Sequence, residues 1–139
     1  MADPAIVAEL LLARCELMVT EGPKLPVAMP DVSFTPPTAS DGTALPYLRV
    51  DLFSNAPFWQ GLTSGRIDQG LLQITVVWPK GAGVIKPKQA AKAVMDHFPK
   101  GLRLYGPGVR VSVSGEPWAA SPIIGETETE TPITIPFRA

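Results

Sequence analysis

The run from Gln69 to Gly101 constrains the fold more than any other part of the chain, because it specifies a strand, a turn and a helix in direct succession. Leu72, Ile74 and Val76 alternate with Gln73 and Thr75, the period-two pattern of a strand with one apolar face. Lys80, Gly81, Ala82 and Gly83 then form a turn. Pro87 opens a helical pattern that gathers Ala90, Ala91, Val94 and Phe98 on one side and Lys88, Lys92 and Asp96 on the other, and Pro99 and Gly101 end it. A strand with one apolar face and a helix with one apolar stripe must bury them against something, and layering helix on sheet is the economical solution.

Three further segments repeat the strand signature. Leu48, Val50 and Leu52 alternate with Arg49 and Asp51; Val109, Val111 and Val113 alternate with Arg110, Ser112 and Ser114; Ile133, Ile135 and Phe137 alternate with Thr134 and Arg138. At the N-terminus Asp3 is an N-cap, Pro4 takes the first helical position, and Ile6, Leu10, Ala13 and Leu17 recur at helical spacing, widened by Val7, Leu11 and Met18. This predicts a helix over residues 4–20, stopped by Gly22 and Pro23. The fold class is α+β: a mostly antiparallel sheet of four to six strands with two helices packed on one face. At 139 residues the chain reads as one domain, residues 1–139, able to bury roughly two thirds of its extended surface. Its 16 prolines exceed twice the usual share of about 5% and cluster between elements, which makes the connections stiff. Pro26, Pro30, Pro36, Pro37 and Pro46 leave room for at most one short edge strand in residues 24–46, where Val32 and Phe34 alternate.

Two connections are long, and long connections in compact domains tend to carry function. Residues 54–68 hold Pro57, Phe58, Trp59, Gly61 and Gly65; residues 115–131 hold Trp118, Ile123 and Ile124 beside Glu126, Glu128 and Glu130. Folding back onto the body is the expectation for each loop taken singly. Two adjacent aromatics cannot easily both reach the core from a segment punctuated by Pro57, Gly61 and Gly65, so at least one of Phe58 and Trp59 is left for a neighbour.

Chemistry is sparse. Twelve Lys and Arg against thirteen Asp and Glu give a net charge of -1, which argues against bulk attraction to nucleic acid or to a membrane surface. No apolar run approaches the roughly 20 residues of a membrane span, and Asp3 and Glu9 stand where a signal peptide would be basic and then apolar, so the expected location is the cytoplasm of the producing cell. Cys15 lies among apolar neighbours in a predicted helix and reads as a small core residue. His97, at a helix C-terminus, reads as a cap whose partial positive charge the helix dipole favours. One His and one Cys cannot build a four-ligand zinc site of the usual kind, and nothing in the sequence supports a metallohydrolase or a serine or cysteine hydrolase. Asp51, Asp68 and Asp96 share no motif, and the segment Lys80 to Gly83 lacks the frame of a phosphate loop. Lys80, Lys86 and Lys88 cluster around that turn, as a solvated basic edge or as contacts to an acidic partner. No catalytic, cofactor-binding or metal-binding residue emerges.

The block from Gln69 through Gly81, with the helix closing on His97, Phe98, Pro99, Lys100 and Gly101, resembles the centre of tail-terminator-like proteins of long-tailed bacteriophages and related prophages. The resemblance extends to the N-terminal helix, to Arg49 through Phe53, to Val109, Arg110 and Val111, and to Pro132 through Phe137. It implies a structural protein without enzymatic activity or cofactor. The implied assembly is a hexameric ring of the chain with itself, seated on the last ring of the tail tube, stopping tube growth and offering a head-completion protein a surface to join. The implied partners are further copies, the tail tube protein and the head-completion protein, in a virion tail assembled in the host cytoplasm. Under that role the interface candidates are Phe58, Trp59 and Arg66 in the first long loop, Gln73 and Thr75 on the polar face of the central strand, and Lys80, Lys86 and Lys88. Two other readings stay open: a head-completion or connector protein, which would seat on the portal vertex, and a small enzyme, which would need a buried polar pocket.

Overall fold

Asp3 starts the first helix as its position predicts, its Oδ1 accepting a hydrogen bond from the Ala5 amide at 2.9 Å. Helix α1 spans Pro4–Glu16 and tightens into a 3-10 turn over Leu17–Val19, together close to the expected 4–20. Helix α2 spans Ile85–His97, beginning two residues before Pro87. The computed structural model describes residues 3–56, 58–61 and 65–139, with side chains described for 3–56 and 68–139.

The strands are β1 (Val27–Ala28), β2 (Tyr47–Ser54), β3 (Phe58–Gly61), β4 (Gly65–Ile67), β5 (Gln69–Pro79), β6 (Arg103–Gly106), β7 (Val109–Val113), β8 (Trp118–Ala119), β9 (Ile123–Ile124) and β10 (Glu128–Arg138). The main sheet runs β1-β2-β5-β10-β7-β6, with β8 and β9 also paired to β10, and β3 and β4 form a separate hairpin. The β1–β2 pair is parallel and the others are antiparallel, so the sheet is mixed. β10 lies against β5 along its whole length, Glu128 opposite Pro79 through Arg138 opposite Gln69. Its other edge meets β9, β8 and β7 in succession.

Both helices cover one face, α1 over β6 and β7 and α2 over β5 and β10. Leu48, Val50, Leu72, Ile74, Val76, Ile133 and Ile135 project from that face into a core shared with Leu11, Met18, Val94 and Phe98. Burying each of these side chains is worth about 1.5–3 kcal/mol, so this interface is the main source of cohesion. Gly70 sits where two elements close on β5: a Cβ there would lie 2.4 Å from the Phe53 carbonyl oxygen and 2.7 Å from Phe137 Cζ.

Of three connections, the first carries its one short edge strand, as expected, and the other two carry more structure than expected. The edge strand in residues 24–46 falls at Val27–Ala28, while Val32 is exposed and the Phe34 ring packs on Tyr47 with centroids 5.2 Å apart. Residues 54–68 hold the β3–β4 hairpin. The second long connection does fold its backbone back, adding β8 and β9 to the edge of β10. Its apolar side chains nevertheless face outward: Trp118, Ile123 and Ile124 are 52%, 57% and 69% exposed.

Candidate functional site

Because α1 and α2 cover one face of the sheet, the other face is where side chains are left for contacts. Strand register arranges it in rows. Tyr47, Val77 and Glu130 lie side by side across β2, β5 and β10; Arg49, Thr75 and Pro132 form the next row; Asp51, Gln73 and Thr134 the one after. The Arg49 guanidinium crosses β5 to reach Glu130 at 3.1 Å and lies 3.9 Å from Asp51. Its hydrogen bond with Glu130 holds Arg49 charged even more firmly than usual. Beneath this bridge Thr75 and Val77 are buried although they point away from the helices, because β5 is central and its neighbours close over it. Gln73 is half-buried.

One end of the sheet is apolar. Val84 and Ile124, both exposed, line a hollow of about 370 Å³ there together with Lys80, Gly81, Gly83 and Thr129; Ile85 and Ile123, next to them in sequence, are exposed as well, Ile123 on the outer face opposite Glu130. Gly81 and Gly83 both have positive φ, 94° and 83°, which lets the chain turn tightly from β5 into α2. The turn is thus a connector, as its sequence indicates. Lys80, Lys86 and Lys88 are exposed near it but border separate hollows: Lys86 faces one with Pro23, Leu25 and Trp78, and Lys88 faces one of about 320 Å³ between α2 and the β8–β9 segment. That last hollow is bordered by Thr131, whose Oγ1 is buried without a hydrogen-bond partner. Phe58 and Trp59 fall on β3 and Arg66 on β4, with Trp59 opposite Arg66; their side chains, and Pro57, lie outside the described residues.

The reactive residues are occupied structurally. Cys15 is fully buried, and burial pushes its thiol up to about 12, so it is a core residue as expected and a poor nucleophile. His97 is 7% exposed, and its Nε2 donates to the Arg14 carbonyl at 2.8 Å. Arg14 returns two bonds, Nη2 and Nε donating to the His97 carbonyl at 2.8 and 3.2 Å. The two helix ends are thereby clamped together. Burial lowers the His97 pKa, which corrects the expectation of a partly charged cap: the neutral ring is favoured. Asp96 pairs with Lys92 at 2.7 Å, Asp51 lies beside Arg49, and no group of three potential metal ligands converges among the described residues.

Two surface features escaped the sequence reading. Val84 and Ile85, just before the helix expected from Pro87, are exposed. Arg103, Arg110 and Arg138 each sat at a polar position of a strand or beside one, with nothing to show that the topology would bring them together.

Among the described residues the arrangement offers surfaces for association, which fits what comparison with known proteins finds. The family model described as phage tail terminator protein matches residues 6–137. The chain belongs to the phage tail terminator family. A solved structure 25% identical in sequence superimposes with a TM-score of 0.78, covering 99% of this chain and 96% of that one. No curated protein matches. Membership makes the chain a structural component of a phage tail, acting with tail and head components of the virion. No helix among the described residues is long and apolar enough to cross a membrane.

Proposed function

We propose that this tail terminator assembles as a closed ring, of six copies by its resemblance, on the end of the tail tube, where it stops tube growth and offers a head-completion protein its joining surface. It does so without catalysis or cofactor. The observation that carries the reading is the exposed aliphatic pair Val84 and Ile124 around one hollow, with Ile85 and Ile123 exposed beside them in sequence, in a chain whose family acts in tails. Clustered exposed aliphatics of this kind mark association surfaces. The polar outer rows around Gln73 and Thr75, the basic edge of Lys80, Lys86 and Lys88, and the hairpin carrying Phe58, Trp59 and Arg66 supply the surrounding contacts to neighbouring copies or to the tube.

The test is electron microscopy of tail-tube protein polymerised with and without the purified chain. Tubes carrying extra density at one end and arrested in length support the reading. Unchanged lengths with bare ends would sink it, and rings found only on portal complexes would move the chain to the connector class.

A further inference from the structure

The outer face of the sheet carries opposite charges at the two ends of β10. Arg138 stands opposite Ser112 on β7, and Ser112 stands opposite Arg103 on β6, so one row crosses three strands with its two guanidinium-bearing positions about 10 Å apart. Arg110, opposite Tyr105, lies diagonal to Arg103. All three share the outer face, because their strand neighbours Phe137, Val109 and Val111 are buried and Leu104 packs on the core. They are exposed, and none makes an ion pair among the described residues. Tyr105 beside them is 67% exposed.

At the far end of the same strand Glu128 and Glu130 lie on the same face, with Glu126 in the approach to it. Ten residue steps separate Glu128 from Arg138, about 34 Å of extended chain. Glu130 is committed to Arg49, whereas Glu126 and Glu128 have no ion pair among the described residues. The counter-charges nearby are few: Arg49 and Lys80 at the acidic end, Glu116 after β7 and Asp68 beside Ala139 at the basic end.

We propose that neighbouring copies join by docking the Arg103, Arg110 and Arg138 patch of one against the Glu126 and Glu128 end of the next. This rests on the ring reading above and names the surface that closes it. The patches are too far apart to satisfy each other within one chain. Being different, they make a head-to-tail contact, the kind that propagates into a ring instead of stopping at a two-fold dimer. Arginine and tyrosine together are the residue types that anchor such interfaces. The complementary acidic surface on the same chain favours a second copy over nucleic acid as the occupant.

The test is a charge swap in the full chain. One variant carries Arg103→Glu, Arg110→Glu and Arg138→Glu; the other carries Glu126→Arg and Glu128→Arg. All five positions lie on the outer face or in a turn, and circular dichroism checks that each variant folds, with Gln replacing Glu or Arg where one does not. Self-association is read by sedimentation velocity over a concentration series and by ring density on tubes. Each variant alone should associate at least ~100-fold more weakly than the parent, since like charges are brought face to face. An equimolar mixture should recover assembly, because alternating copies restore every contact. Variants that assemble like the parent, or a mixture that fails to recover, overturn this surface while leaving the ring intact. A parent chain that assembles neither in solution nor on tubes overturns the ring reading itself.

Discussion

Replacing Gly70 by Ala should cost the fold more than its single methyl group suggests. The new Cβ would lie 2.4 Å from the Phe53 carbonyl oxygen, 2.7 Å from Phe137 Cζ and 3.1 Å from Phe137 Cε1. The first contact falls about 0.9 Å short of an ordinary carbon–oxygen approach. That oxygen belongs to β2, held to β5 from Tyr47 to Ser54, so relief means parting two paired strands or displacing a buried ring. Overpacking of this kind costs about 1–3 kcal/mol, and backbone involvement puts it at the upper end; the entropy Ala recovers over Gly in a strand returns about 0.5 kcal/mol. A net loss of about 2.5 kcal/mol, set against an unfolding entropy of about 2.1 cal/mol/K for each of 139 residues, lowers Tm by about 9 °C. Gly106→Ala is the control. Its Cβ would meet Ile6 Cγ2 at 3.0 Å and Leu10 Cδ1 at 3.1 Å, both side-chain tips that can swing aside, for a cost under about 1 kcal/mol. Calorimetric melts of both variants decide the matter, and a Gly70→Ala protein melting within about 2 °C of the parent, or alongside Gly106→Ala, would refute the reasoning.

Two further outcomes follow from buried polar groups. Because burial lowers the His97 pKa below its ordinary value of about 6.5, the unfolded chain takes up a proton the folded chain resists, so stability is full above that value and falls as pH drops through it toward the lowered one. His97→Gln, which keeps a donor for the Arg14 carbonyl, should flatten this dependence; denaturant melts at pH 7.5 and 5.5 that decline equally in both proteins would contradict it. Thr131→Val replaces the unpartnered Oγ1 with a methyl and should raise stability by about 1 kcal/mol, whereas a clear loss would mean that the hydroxyl is satisfied.

The long strands were legible because each is amphipathic: β2, β5, β7 and β10 all announce themselves by alternation, and Asp3 and Pro4 mark the start of α1. The short ones were not. β8 and β9 have two residues each, too few for any period to register, and β6 has only Leu104 on its inner side. Thr75 looked like an outward polar residue, yet the central place of β5 buries it. His97 looked charged, since its partner is the carbonyl of Arg14, 83 residues away in sequence. The same distance effect hid the arginine patch, whose members gain meaning only once β6, β7 and β10 stand side by side. Of the interface candidates, the three lysines are exposed, though around different hollows.

The middle slot of the sheet belongs to β10, which follows all of its partners in chain order. Before it inserts, β5 and β7 each present a bare edge of unpaired amides and carbonyls, and the inner residues of both lack a neighbour. Closing the sheet therefore depends on pairing strands that are far apart in sequence, which slows folding. Glu128 and Arg138 stand at the two ends of that inserting strand. Arg138, Glu126 and Glu128 therefore reach their working positions only when β10 has closed the sheet, and a chain that has not yet placed that strand presents only Arg103 and Arg110 of the proposed contact.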